Sequence, residues 1–454
     1  MKTEPQKREK PDIVEFFLAG LRAVDAYEIT RCAINLSNGI ITITGHHGKK
    51  ERYDLSKFKR ILTVGFGKAA LPMACAVEQL LLDRITKGMI VCPYGTSGKT
   101  KRIEVIEAGH PIPDASSIQG ARRIIEMTSD LAEDDFLILL VSGGGSALFT
   151  MPAPGIAIED LRQMNEILLE CGANIDEINT VRKHLSQIKG GQLARLAHPA
   201  TTAALLISDV VGDMTHTIAS GPAAPDPSTF GDALNILRKH EMMKHTPQSI
   251  IDRLEAGRRG EITETPKSGD PIFKNTSNII IGSNMIALQA IAHHAAEKGY
   301  RPLILSSRIT GDTRLAAMIF ASMIKEIKKR HAAVSTCIVS GGEMTTAVKG
   351  SGSGGRNQDF CLSLSPLIKG MKGVQVLSAG TDGIDGKTEA AGAVIDGNTH
   401  ERARAMGLDI GRALADYDSH SFFRATGDLI ITGRTNTNVM DIQIILLSQT
   451  DQMK

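Results

Sequence analysis

The sequence predicts an α/β protein of two domains with mainly parallel sheets flanked by helices, the N-terminal domain Rossmann-like. Three observations predict it. Apolar runs of about five residues recur along the chain, the length expected of strands buried on both faces. Each run leads into a turn and then a helical period, the alternation that builds parallel sheets. Glycine supplies 44 of the 454 residues, above the usual share of about 7 %, and many stand at the ends of those runs.

The elements follow in order. Ile61–Gly65 is a strand that leads through Gly67 into a helix over Lys68–Leu82. Gly88–Cys92 is the next strand. Asp114 can cap a helix at Ala115, where Ile118, Ala121, Ile124, Ile125 and Thr128 share a face. Phe136–Val141 runs into SGGGSAL, and Ala203–Ile207 into SDVVGD. Asn278–Ile281 runs into Gly282-Ser283-Asn284 and a helix ending near Lys298. Pro302–Leu305 and Cys337–Val339 repeat the theme. Between them Asp312 can cap a helix carrying Leu315, Met318, Ile319, Met323 and Ile327. Its basic end, KEIKKR, complements the helix dipole. The polar stretch Gly257–Ile272, with three glycines and two prolines, reads as a linker. Domains are therefore expected at 1–256 and 277–454, joined by 257–276.

Composition narrows the function. A net charge of +2 with 4 % aromatics and no Trp argues against a nucleic-acid binder. Six cysteines, none in a C-x-x-C pair, fit free thiols rather than a zinc site or disulfide framework. The first residues carry charges of both signs and no apolar core, unlike a signal peptide. No apolar stretch approaches the 18 residues of a membrane span. The expected location is cytoplasmic.

Several motifs carry chemistry. Gly65-Phe66-Gly67-Lys68-Ala69-Ala70 follows a strand and opens a helix, matching G-x-G-x-x-A. Such a turn lets an anion approach the helix N-terminus. The following strand ends Val91-Cys92-Pro93, without the carboxylate that a dinucleotide ribose requires. Lys68 sets a positive charge against the dipole, which costs up to about 1 kcal/mol unless an anion lies between them. Residues 93–100 mimic a P-loop but lead into a strand, where a P-loop needs a helix. Ser142, Gly143, Gly144, Gly145 and Ser146 can form a nest of N–H groups for phosphate. Asp209, Asp213, Asp382 and Asp385 lie at strand ends, where α/β folds bind ligands. Mg²⁺ takes one or two carboxylates plus substrate phosphates, so these are metal candidates or turn caps. Arg356, presented by the glycines of 350–355, suits bidentate recognition of a carboxylate or phosphoryl group. Lys189 adds a further cation. Phosphate nests, Lys, Arg and paired Asp together are the equipment of phosphoryl transfer.

These segments resemble the class II glycerate kinases, the glycerate 2-kinase group with a MOFRL-type C-terminal domain, whose members are often labelled hydroxypyruvate reductases. The similar stretches include VGFGKAA, GHPIPDASS, LVSGGGSAL, NTVRKHLSQIKGGQLA, IASGPAAPDPST, GSGSGGRNQ, AGTDGIDGKTEAAGA and TGDLIITGRTNTNV, spread from Gly65 to Val439. The resemblance implies ATP-dependent phosphorylation of D-glycerate at its 2-hydroxyl, with Mg²⁺, in a cleft between two α/β domains. It implies a catalytic role for Lys68 and Arg356. Asp209 joins them as the candidate for activating the hydroxyl. Ser142 to Ser146, Lys189 and Asn284 form the expected nucleotide-binding set, and Asp213 and Asp382 the expected metal ligands. Glycerate is the expected partner, with neither nucleic acid nor membrane, and homo-oligomerisation is left open. Met214, Arg434, Asn436 and Met440 depart from the family's usual residues, Asp, Pro, Gly and Asn. Two other readings remain at this point: an NAD(P)H-dependent hydroxypyruvate reductase, and a non-catalytic nucleotide- or metabolite-binding protein on the same scaffold.

Overall fold

The computed structural model describes residues 12–449 except 47, 97 and 331–333. The described residues form two compact units, one within residues 26–282 and one of residues 12–25 with 283–449.

The first unit opens with a small antiparallel sheet, β1 (Ile34–Ser37), β2 (Ile40–Thr44) and β3 (Lys50–Asp54). Its main sheet has six strands: β4 (Arg60–Phe66), β5 (Lys87–Pro93), β6 (Ile103–Ala108), β7 (Asp135–Val141), β8 (Thr201–Ile207) and β9 (Thr276–Gly282). They lie in the order β6-β5-β4-β7-β8-β9, and every neighbouring pair is parallel. The chain first winds outward from β4 to β6, then returns to β7 and winds the other way. The point of reversal is the β4/β7 boundary, where doubly wound sheets bind ligands beyond the strands' C-terminal ends. All seven residues of β7 are buried. That accounts for its unbroken apolar run, since a central parallel strand has no solvent face. Phe66 and Phe149 stack at 4.2 Å in the core beneath the site. Asp114 caps the helix Ala115–Thr128 through a capping box with Ser117, as expected.

The stretch 257–276 is no linker. It belongs to the first unit, and β9, which starts at its last residue, completes that unit's sheet. Thr265 within it is buried and donates to Asp226, and Glu264 bonds His184 at 3.0 Å. Its polarity serves these internal bonds. Residues 12–25 also divide otherwise than expected, joining the second unit. The helix Ile13–Ala23 sits against the helix Asn284–Glu297, where Phe16 meets His294 edge-on at 5.2 Å.

The second unit holds β10 (Arg301–Asp312), β11 (Thr336–Thr345), β12 (Val374–Gly380), β13 (Gly392–Asp396), β14 (Leu429–Ile430) and β15 (Asp441–Leu447). The order is β10-β11-β15-β12-β13-β14. Here the expectation of a mainly parallel sheet fails, because only β10 and β11 run parallel and the other four pairs are antiparallel. The C-terminal strand β15 inserts between β11 and β12, and apolar runs alone carry no strand direction. The helix Thr313–Arg330 starts with Asp312 accepting from the amides of Arg314 and Leu315, as expected. Of the apolar residues it carries, Met323 and Ile327 pack against the core. Ala317, Phe320, Ala321 and Ile324 are buried and Phe320 packs on Phe360, while Leu315, Met318 and Ile319 are more than half exposed.

No helix among the described residues is long and apolar enough to cross a membrane.

Candidate active site

In the first unit the loops after β4 and β7 are joined across the switch point. The Lys68 amide donates to Gly143 O at 2.8 Å, and the Ala69 amide to Ser142 Oγ at 3.0 Å. The Ser142 hydroxyl thus satisfies an amide at the start of the helix Ala70–Leu81. Ser142 is 1 % exposed, so its side chain holds the loops together rather than facing a ligand. Gly67, at φ +125°, is required by the same junction: a Cβ there would lie 2.8 Å from the Ser142 carbonyl carbon.

Gly144 is the partly exposed glycine of the nest, and Gly143 beside it is buried. A Cβ on Gly143 would lie 2.7 Å from Asp209 Cγ and closer still to Oδ2. The Asp209 carboxylate therefore rests directly against this glycine. Gly144 has φ +80°, and a Cβ there would lie 2.9 Å from His110 Nε2 and 3.3 Å from Lys68 Cγ. The predicted residues Lys68, Gly143, Gly144 and Asp209 are brought together. His110, which follows β6, joins them, and the motif analysis did not select it. Its only signal was its place in the GHPIPDASS segment after a strand, since a single His has no characteristic spacing.

The far side of the nest is supported by buried polar groups. Ser220 Oγ lies 2.8 Å from Asn179 Oδ1 and 2.7 Å from Ser146 Oγ. The amide oxygen can only accept, so Ser220 donates to Asn179 and Ser146 donates to Ser220. Ala219, Ser220 and Gly221 are consecutive left-handed residues, at φ 48°, 60° and 61°. Non-glycine residues in that region cost about 1–2 kcal/mol each, and such strain clusters at functional loops. Gly145 is closed off by Ala219 and Phe66, each 2.9 Å from the position of an added Cβ.

Lys189 differs from expectation. It is 5 % exposed, and its Nζ donates to Ser146 O at 2.8 Å and Phe149 O at 3.1 Å. Burial, then the Arg182 cation, pulls its pKa down to about 7. Lys189 braces the short helix Gly145–Leu148 from behind and does not face a ligand. Asn284 also differs. It is buried in the second unit, and its Nδ2 donates to Val439 O at 2.8 Å and Asp441 O at 2.9 Å. Its NH2 group is committed to fixing that loop, while its buried Oδ1 has no hydrogen-bond partner.

In the second unit the 350–355 loop is tightly packed. Cβ atoms on Gly350 and Gly352 would collide with the backbone at Asp416 and Asp418. Gly355 leads into the helix Arg356–Leu364. Asp385 accepts from the Asn357 and Gln358 amides at 3.0 and 2.9 Å, so it caps that helix. Burial pushes its carboxyl up to about 6, with Asp441 adding to the rise. Arg356 meets the fully buried Asp441, Nε to Oδ2 at 2.5 Å and Nη2 to Oδ1 at 2.9 Å. Its Nη1 lies 3.2 Å from Glu343. Burial works against the guanidinium's charge, but Asp441, then Glu343 and Asp385, hold its pKa above the usual value.

Among the described residues no group of three or more His, Cys, Asp or Glu side chains is arranged to hold a metal. Asp382 Oδ1 accepts the Ile384 amide at 3.1 Å, the bond of a turn-capping aspartate. Asp213 occupies a left-handed corner at φ 57°. The altered turn after β14 keeps left-handed corners at Gly433, Asn436 and Met440. Asn takes the corner usually given to Gly, which its short side chain tolerates.

Together the strand order and loops of the first unit define a doubly wound α/β protein with a glycine-rich turn at its switch point. Family comparisons place that architecture. Residues 12–255 match the model described as "Domain of unknown function (DUF4147)", and residues 336–441 match the MOFRL family. The chain is 38 % identical over 431 residues to the glycerate 2-kinase of Pyrococcus horikoshii, covering 94 % of this chain and 95 % of that one. It is 41 % identical over 401 residues to the D-glycerate 2-kinase of Thermotoga maritima, covering 88 % and 93 %. The crystal structure of the glycerate kinase from Thermotoga maritima superposes with a TM-score of 0.83 at 37 % identity, covering 96 % of this chain and 98 % of that one. The protein belongs to the glycerate kinase family.

Proposed function

We propose that this protein transfers the γ-phosphoryl group of ATP to the 2-hydroxyl of D-glycerate, giving 2-phosphoglycerate and ADP. The observation that carries the reading is the meeting of Lys68, His110 and Asp209 at the Gly143–Gly144 nest. A cation, an imidazole and a carboxylate around two side-chain-free residues suit a phosphoryl group in transfer. The names of the relatives supply the acceptor.

In this reading the amides of the nest and Lys68 bind and neutralise the phosphates. The Asp209 carboxylate orients the acceptor hydroxyl and takes its proton as the new O–P bond forms and the bond to ADP breaks. Arg356 binds an anionic group of the substrates. Asp213, with Asp382 as the alternative, is the candidate to hold a Mg²⁺ that would arrive on nucleotide phosphates. A single protein carboxylate is consistent with how Mg²⁺ binds alongside phosphates. When bound, the ion neutralises phosphate charge. A reducing compartment, the cytoplasm by default, suits a chain whose six cysteines are all free thiols.

The test is ³¹P NMR after incubation with ATP, Mg²⁺ and D-glycerate. The expected result is a 2-phosphoglycerate resonance with ADP. Intact ATP would reject the kinase reading, and a 3-phosphoglycerate resonance would reject its regiochemistry.

A further inference from the structure

Asn179, on the helix Ile175–His184, reaches the rear of the nest through Ser220, which also bonds Ser146. Asn179 is only 5 % exposed, and its oxygen alone is used in that chain. Its Nδ2 donates to no group among the described residues. Arg182 stands three residues on, so the two side chains share a helix face. The Arg182 Nε donates to Asn165 Oδ1 at 2.7 Å. Its Nη1 and Nη2 make neither a hydrogen bond nor an ion pair among the described residues. None of these three nitrogens is sealed from solvent.

The charges on this face do not balance. Arg182 is mostly buried, and burial pulls its pKa down with no carboxylate to oppose the fall. Lys189, behind Ser146, bonds only carbonyls, and the Arg182 cation adds to the fall of its pKa. The neighbour of Arg182 shows the ordinary arrangement: Lys183 Nζ meets the buried carboxylate of Asp226 at 3.2 Å. The fold thus supplies a counter-charge for Lys183 and withholds one from Arg182 and Lys189. Two like charges held close out of water cost stability unless an opposite charge joins them. An oxyanion would supply that charge and accept from both the Arg182 fork and the Asn179 Nδ2.

We propose that the Nη1 and Nη2 of Arg182 and the Nδ2 of Asn179 form an oxyanion-binding subsite beside the nest. The subsite deepens the phosphoryl-transfer reading and rests on it for the identity of the substrates. The shared ligand chemistry is an oxyanion, either the carboxylate of the acceptor or a phosphate. Asn165 is the positioning residue, because it fixes the Nε edge of the guanidinium and leaves the fork open.

The experiment compares the full-length wild type with Arg182→Met and Asn179→Asp by calorimetric titration, once with D-glycerate and once with inorganic phosphate. Arg182→Met keeps an apolar stem and removes the charge. Asn179→Asp keeps the oxygen that Ser220 uses and turns the donor into an acceptor. Each change should weaken binding of the same probe by about tenfold or more, as loss of a charge-assisted bond does. A loss for D-glycerate assigns the subsite to the acceptor carboxylate, a loss for phosphate to a phosphoryl group, and a loss for both to either oxyanion in turn. Neither titration needs turnover, so failure of the kinase reading in the NMR assay is distinguishable from failure of the subsite. A thermal melt in oxyanion-free buffer supplies a second readout. Arg182→Met should melt within about 2 °C of wild type or above it, since an unpaired charge beside Lys189 is gone. Affinities within threefold of wild type for both probes overturn the proposal, as do losses for different probes in the two variants. No measurable binding of either probe to wild type overturns it as well. So does a clear fall in the Arg182→Met melting temperature, the mark of a residue that only holds the fold. If one variant does not fold, the titration of the other decides.

Discussion

Replacing Gly143 by Ala is the most direct perturbation of the nest. The backbone at Gly143 is not left-handed, so an Ala there carries no conformational penalty of the kind expected at Gly144, whose φ is +80°. The entire effect comes from the added methyl. It would sit 2.7 Å from Asp209 Cγ, with Asp209 Cβ at 3.1 Å. Carbon atoms pack comfortably at about 3.5–4.0 Å, so the carboxylate must retreat by about 1 Å. Asp209 is only half-buried. The fold should therefore tolerate the change, with a melting temperature within about 3 °C of wild type. Chemistry should not tolerate it, because a 1 Å misplacement of a reacting group can cost on the order of 10²-fold. The assay is kcat/KM for ADP production with saturating Mg·ATP and varied D-glycerate, with a thermal melt on the same preparation. A variant that melts normally and keeps kcat/KM within threefold of wild type would refute the placement of Asp209 at the reacting centre.

Other expectations follow from the same geometry. Lys68→Ala and Arg356→Ala should each lower kcat/KM on the order of 10²–10³-fold, as loss of a charge-stabilising group does; steady-state kinetics on folded variants checks this. Ser220→Ala leaves Asn179 Oδ1 and Ser146 Oγ without their shared partner, and urea denaturation should show a loss of about 1–3 kcal/mol. Partial burial opposes ionisation of Glu264, but the His184 bond and the Phe230 and Thr265 amides outweigh it and hold its pKa at about 2, against an ordinary 4.5. Its folded pKa is depressed, so its contribution is complete above pH 4.5 and is lost as pH falls toward 2. The melting-temperature gap between wild type and Glu264→Gln should accordingly narrow between pH 6 and about 2.5. Glu241 is exposed and left-handed at φ 57° just after the helix Phe230–Lys239. Glu241→Gly should stabilise by about 0.5–1 kcal/mol, the relief of strain less the glycine's extra chain entropy; thermal melts measure it.

Much of the fold and part of the site were legible in the residue order. The apolar runs of β4, β5, β7 and β8, the glycine turns after them, and the caps Asp114 and Asp312 are short-range features, encoded within a few residues. Lys68, Gly143, Gly144 and Asp209 stood out because a doubly wound sheet gathers its strand-end loops at one edge, so strand-following motifs become neighbours. The direction of β12 to β15 was not legible, since apolar runs do not distinguish parallel from antiparallel pairing. Nor was the whole buried face of the helix Thr313–Arg330, whose two sides both carry apolar residues; packing on Phe360 chose between them. The partners of individual polar groups were the least legible. Lys189 found two carbonyls about 40 residues away, Asn284 found a loop more than 150 residues away, and Arg356 found Asp441 across 85 residues. Sequence determined which charges and glycines the chain owns and where strands end, because those depend on local chemistry. Only the tertiary structure decided which charges are buried in service of the fold and which face the nest, because that depends on what each side chain meets when distant segments pack.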